Sequence, residues 1–192
     1  NMDELVKAFS LDHIQKGGAV FNKEKFNWIN KEYIKKLPED RLLAEIEARL
    51  PAHILSAPQY SSERLSRASR VIMEKIHTFG EVKAMAEAGD LSHFFEAPTP
   101  EKNALCWKEE SPEQALRHME HVVTLLRALS LWSESSIKET IWEYASQEGR
   151  GSVLWPMRFA LSGKEKSPDP FTLADIFGKD ETLARLKKAM DI

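Results

Sequence analysis

Residues 111–129, SPEQALRHMEHVVTLLRAL, have few ways to fold in water other than as an amphipathic helix. Ser111 supplies an N-cap, Pro112 takes the first helical position, and Gln114 closes a capping box three residues on. Ala115, Leu116, Met119, Val122, Val123, Leu126 and Leu129 then recur at the 3.6-residue spacing of one buried face. The rest of the chain repeats the pattern. Leu42, Leu43, Ile46 and Leu50 form a stripe that Pro51 ends. A helix capped by Ser61 or Ser62 runs to about Ile76, and another spans 80–88 and stops at Gly89. SIKETIWEYASQEG pairs Ser136 as cap with Glu139 and stops at Gly149; further helices are expected over 152–162, 171–177 and 180–190. Strand-type alternation and internal repeats are missing. The expected class is all-α: two small helical bundles after a short N-terminal segment of different character, joined at the proline-rich FFEAPTPEKN (94–103), where Thr99–Pro100 caps a new start.

Composition bounds the function. The 192 residues are 42% hydrophobic and 30% charged, a water-soluble balance with no apolar run long enough to span a bilayer. The single cysteine, Cys106, allows no disulfide within the chain and fits a reducing, cytoplasmic setting. Asn1 ahead of Met2 suggests that the natural start lies elsewhere. The net charge of −3 is uneven: residues 1–36 and 149–192 each carry +2, while 37–148 carry −7. A nucleic-acid contact would therefore use the two ends, not the whole surface. The acidic middle also fits a helical protein-interaction module without RNA binding, and that alternative stays open here.

No residue set reads as catalytic. His118 and His121 offer two ligands on one helix, with Glu120 nearby, but no further cluster completes a metal site. Cys106, beside Trp107, reads as a small buried hydrophobe without a histidine partner. Trp132, Trp142 and Trp155 fall on or beside apolar faces, which points to core packing. A G-x-G-x-x-G turn and a phosphate-cradling lysine loop are both missing.

RFALSGKEKSPDPFTL (158–173) is different. Gly163 ends one helix in a left-handed cap, and Pro168 and Pro170 stiffen the loop beyond it. The backbone at Ser167 has no regular ladder to satisfy it, so such a loop can present amides and carbonyls to base edges. Lys164 and Lys166 suit phosphates, and Arg158 carries a planar fork for a base or phosphate. An ordinary interhelix loop remains the plain alternative.

Both ends of the chain carry residues that resemble one family, the bacterial glutamyl-tRNA synthetases. The C-terminal signature comprises Pro156, Met157, Arg158, Ala160, Leu161, Ser162 and Gly163, then Phe177, Gly178, Lys179 and Asp180. The N-terminal one comprises Phe9, Ser10, Leu11, Ala19, Val20, Phe21, Lys25, Trp28 and Asn30. The resemblance spans the chain, although 96–150 match it mainly by pattern. It implies that residues 1–34 end a stem-contact region, and that 35–97 and 98–192 are two helical anticodon-binding subdomains. It implies anticodon reading by Arg158, Ser167, Pro168, Pro170 and Lys75; the phosphate role of Lys164 and Lys166 rests on their charge alone. Lys75 stands where the family has arginine, and a lysine is a point charge without the planar fork. Trp28 and Asn30 are expected to anchor the N-terminal segment. The family's nucleotide-binding fold is missing from these residues, so this part alone is expected to be catalytically inactive and to hold no cofactor. The implied whole is a monomeric, cytoplasmic class I ligase that uses ATP and Mg to charge tRNA(Glu), with tRNA(Gln) left open as a second substrate.

Overall fold

A computed structural model describes residues 2–13, 17–18, 20–99 and 101–191; Ala19 of the N-terminal signature and Pro100 of the break lie outside them. Twelve α-helices and no strand occur among the described residues. They are α1 (Met2–Ala8), α2 (Lys23–Ile34), α3 (Glu39–Glu47), α4 (Ala52–Leu55), α5 (Ser62–Lys75), α6 (Gly80–Glu87), α7 (Ser92–Phe95), α8 (Pro112–Ala128), α9 (Glu134–Glu148), α10 (Arg150–Ser162), α11 (Pro170–Phe177) and α12 (Lys179–Met190).

Local chemistry sets most helix ends. The Ser111 hydroxyl accepts from the Gln114 N–H while the Gln114 side chain accepts from the Ser111 N–H, completing the capping box. Ser61 caps α5 through the Arg64 N–H. One end differs from the expectation: α9 is capped by Ser133, not Ser136, and Ser136 donates its N–H to the Ser133 hydroxyl at 3.2 Å. The neighbouring Trp132 is already fixed, because its indole N–H donates to the Ala174 carbonyl at 3.0 Å. The helix therefore starts immediately beyond that anchor.

The apolar faces meet in one continuous cluster that runs from Ile46 through Ile72, Phe94, Met119, Ile141, Met157 and Leu173 to Leu186. Each such side chain contributes about 1.5–3 kcal/mol relative to an exposed one. In the C-terminal part α10 is central and packs on α8, α9, α11 and α12. The N-terminal part joins it where α5 meets α11 and α7 meets α10.

A polar clamp reinforces that seam. Arg185 on α12 is 3% exposed. Its Nη1 donates to the carbonyls of His93 (2.9 Å) and Leu161 (2.7 Å), and its Nε and Nη2 donate to Glu181. Glu181 also receives both terminal nitrogens of Arg64 from α5. The centre of the Phe177 ring lies 3.9 Å from the Arg185 guanidinium. Two arginines sharing one carboxylate thus tie α5, α7, α10 and α12 together.

The N-terminal segment is held more thinly. Asn30 donates to the His77 carbonyl and Lys31 to the Glu74 carbonyl at 2.6 Å, so Asn30 does anchor α2. Trp28 does not: its side chain points outward and is 62% exposed, among exposed Phe21, Phe26 and Tyr33. Lys31 lies one turn on from Trp28, yet it is the ammonium that reaches the Glu74 carbonyl while the indole stays in solvent.

These contacts predict two effects on stability. Arg185→Ala leaves two carbonyls and part of a carboxylate unpaired in the interior, and should lower unfolding stability in urea by about 3–5 kcal/mol. His93 is 4% exposed, and neither ring nitrogen has a hydrogen-bond partner. Burial, together with the charges of Lys164, Lys75 and Arg185, pushes its pKa from 6.5 down to about 3. The unfolded chain therefore binds a proton below pH 6.5 that the folded chain refuses. Stability should fall between pH 6.5 and 3 by up to about 1.4 kcal/mol per pH unit from this residue. Urea titrations at several pH values should show His93→Leu removing that part of the slope.

Candidate functional site

The stiff stretch after α10 sits at the surface between α5, α9 and α11. Gly163 opens it at φ +64°, and its N–H donates to the Phe159 carbonyl at 2.7 Å. A side chain is excluded there twice, by the left-handed backbone and because a Cβ would come within 2.7 Å of Pro98 Cβ. Pro98 is itself held by Lys188, which donates to its carbonyl at 3.0 Å. At the far end Asp169 is the N-cap of α11: Oδ1 accepts from the N–H groups of Phe171 and Thr172, and Oδ2 from the Thr172 hydroxyl at 2.6 Å. Between these two anchors, Ser162 braces the turn by donating to the Arg158 carbonyl and accepting from the Lys164 N–H.

A hollow of about 560 Å³ opens beside the loop. Its walls are Arg70, Val71, Glu74 and Lys75 from α5, Glu134 from α9, Arg158 from α10, Glu165 to Asp169 of the loop, and Thr172 from α11. Arg158, Ser167, Pro168, Lys166 and Lys75 are therefore brought together across up to 93 residues of sequence (168 − 75). Arg158 is half-buried, and its guanidinium lies 4.8 Å from the Trp155 ring centre, a cation–π contact that fixes the fork without using its donors. Four cationic side chains (Arg70, Lys75, Arg158, Lys166) meet four carboxylates (Glu74, Glu134, Glu165, Asp169), so the hollow is polar but balanced in charge.

The remaining expected residues lie elsewhere. The Lys164 ammonium turns away from the hollow and donates to the Gly89 carbonyl, closing the end of α6. Pro170 is buried as the first residue of α11 and borders a second, smaller hollow of about 430 Å³. Trp107, Arg150, Gly151, Leu154 and Trp155 line that space, with Arg158 shared between the two. Trp155 therefore faces a surface hollow, while Trp132 packs against the core and Trp142 packs on its edge and borders a separate hollow with Lys138 and Glu139. Its indole N–H donates to the Ala104 carbonyl at 3.0 Å, and its ring stands 5.4 Å from that of Trp107.

The other candidates have structural partners. His118 Nδ1 lies 2.8 Å from the Tyr144 hydroxyl, and His121 stacks on the Tyr144 ring at 4.0 Å. No group of three or more His, Cys, Asp or Glu able to hold a metal occurs among the described residues. Burial and the nearby Glu110 push the Cys106 thiol up, away from thiolate character. Among the described residues no helix is long and apolar enough to cross a membrane.

Asp169, Arg70, Trp107 and Trp155 belong to the site although no sequence signal assigns them to it. Asp169-Pro170-Phe171-Thr172 is a legible N-cap followed by proline. Arg70 carries no such signal: it lies on the charged side of an ordinary amphipathic helix and joins the loop only in three dimensions.

Residues 41–190 match the family model described as the anticodon binding domain. The chain belongs to that family. The anticodon-binding domain is 34% identical over 199 residues to glutamate–tRNA ligase of Clostridium botulinum, spanning 100% of this chain and 38% of the relative. It is 32% identical over 195 residues to the ligase of Flavobacterium johnsoniae, with 99% and 36% covered. A solved glutamate–tRNA ligase from Elizabethkingia meningosepticum, in complex with its amino acid, superposes with a TM-score of 0.71 at 27% identity over 99% of this chain and 36% of that one. The enzyme from Elizabethkingia anophelis gives 0.68 at 28% identity. The chain thus spans little more than a third of these ligases and matches their C-terminal region. The all-α expectation agrees with this fold.

The Trp107 wall of the anticodon-binding domain depends on Gly151. A Cβ at residue 151 would collide with the Trp107 indole. Gly151→Ala should therefore displace Trp107, costing about 1–3 kcal/mol by overpacking. A shift in tryptophan emission together with a lower melting temperature would register it.

Proposed function

We propose that this domain reads the anticodon of tRNA(Glu) as the C-terminal part of a glutamate–tRNA ligase. The observation that carries the reading is the meeting of Arg158, Ser167, Pro168, Lys166 and Lys75 around one surface hollow, beside a loop pinned at Gly163 and Asp169. Its balanced charge suits the polar edges of unstacked bases better than a run of phosphates. A loop already ordered loses little entropy when it binds.

In this reading Arg158 donates its fork to a base edge and the loop around Ser167 and Pro168 offers backbone groups to another. Lys166, exposed at the rim, meets a phosphate, while Lys75 adds a point charge on the α5 side. Pro170 shapes the start of α11 behind these contacts. Lys164, committed to the Gly89 carbonyl, supports the loop more directly than it reaches RNA. Residues 35–97 and 98–192 form the two subdomains on either side of the hollow, and 1–34 lead from the stem-contact region. Glutamate activation, with its ATP and Mg, belongs in this reading to the portion of the ligase that this chain does not span. Lys75 in place of an arginine leaves tRNA(Gln) as a second candidate partner. A monomer working in the cytoplasm fits this role.

The test is tRNA binding at fixed and varied salt. Arg158→Ala should weaken binding of tRNA(Glu) by about 1–3 kcal/mol and blunt discrimination against anticodon variants. Lys166→Ala should weaken all tRNAs alike and flatten the salt dependence by about one charge. Equal loss for every tRNA with Arg158→Ala would remove its base-reading role.

A further inference from the structure

The hollow holds a second guanidinium that no signature marks. Arg70 stands on α5, five residues before Lys75, and lines the same space as Arg158. Its surroundings differ from those of the other arginines of α5. Arg64 is consumed in the buried clamp, with both terminal nitrogens on Glu181. Arg67 donates to the Glu63 carboxylate and the Asp175 carbonyl. The Arg70 side chain is 58% exposed, and its Nη2 meets Asp175 Oδ2 at 2.7 Å.

Asp175 belongs to α11, the helix that Asp169 caps at the end of the loop. The ion pair therefore orients the Arg70 fork from the same element that positions Ser167 and Pro168. A guanidinium carries five N–H donors; Nη2 meets Asp175 and Nε donates to the Arg67 carbonyl at 3.5 Å, so the two Nη1 donors and the second one of Nη2 remain for a ligand in the hollow. Lys75 offers the same wall only a mobile point charge. Equal numbers of cations and carboxylates line the space, which argues against a phosphate as the group that Arg70 meets.

We infer that Arg70 is a specificity-determining residue of this site, donating in bidentate fashion to an unstacked base that shows two adjacent acceptors. Cytosine (O2 and N3) and guanine (O6 and N7) have such an edge. Arg158 and Arg70 then read from opposite walls, while Lys75 contributes charge without selectivity. This rests on the RNA reading above and extends it to a residue outside the family signatures.

The experiment measures binding of the chain to a tRNA(Glu) transcript and to three transcripts, each with one anticodon base replaced, at fixed salt. Arg70→Lys keeps the charge and, being exposed, should keep the fold, which circular dichroism checks. It is expected to lose about tenfold or more of the preference at one anticodon position while keeping the salt slope. Asp175→Ala leaves the arginine in place without its orienting partner and should erode preference at the same position. Both variants retaining full preference at all three positions, or weakening every transcript equally, would overturn the role of Arg70. A failure of the RNA reading itself is separately visible, because the unsubstituted chain would then bind all four transcripts alike, and the inference would fall with it.

Discussion

Arg185 has its positive charge in an almost dry interior, and the arrangement of the molecule depends on how that charge is satisfied. Glu181, one turn back on the same helix, compensates it, and Glu181 in turn draws Arg64 from α5 into the seam. The remaining donors of Arg185 go to main-chain carbonyls at the end of α10 and in α7. Apolar burial alone would let helices slide over one another at small cost, since dispersion and hydration are non-directional. A guanidinium held by directional bonds to three separate residues does not slide. Leu161, one of the residues it holds, lies three positions after Arg158 and two before Gly163, so the clamp also sets where the loop begins.

The far end of the loop is fixed by independent chemistry. Asp169 collects three donors at the start of α11, and α11 is tied to α5 through Asp175 and to the 129–132 turn through the Ala174 carbonyl. A short polar segment held at both ends by different elements can stay at the surface without collapsing onto the core. That condition is one the proposed reading requires of the loop. The cation–π contact of Arg158 with Trp155 works in the same direction: the guanidinium is placed, yet no carboxylate among the described residues occupies its donors.

The helices and most of their ends are legible in the sequence because their signals are local. The Ser111 capping box, the stop at Gly163 and the stripe of α8 each rest on residues within a turn or two of one another. The cap of α9 lies three residues before the expected one because Ser133 and Ser136 are both competent caps. The choice between them lies with Trp132, whose partner Ala174 is 42 residues away. Trp28 departs from the anchoring role that the family signature implies: α2 is tethered by Asn30 and Lys31 through the carbonyls of His77 and Glu74, while the indole stays exposed. Lys164 reads as a phosphate ligand because its charge is visible in the sequence and its acceptor, the Gly89 carbonyl 75 residues earlier, is not.

The sequence by itself determined an all-helical chain, the special backbone at Gly163, the stiffness of the loop and, through two signatures, the family. These are properties of neighbouring residues, and backbone sterics, capping and periodicity act over a few positions. Only the tertiary structure decided which charges share a space. Arg70 and Arg158 line one hollow, and Lys164 stands apart from it, because the packing of α5 on α11 and the carbonyls left at helix ends sort long, flexible side chains whose reach no local pattern encodes.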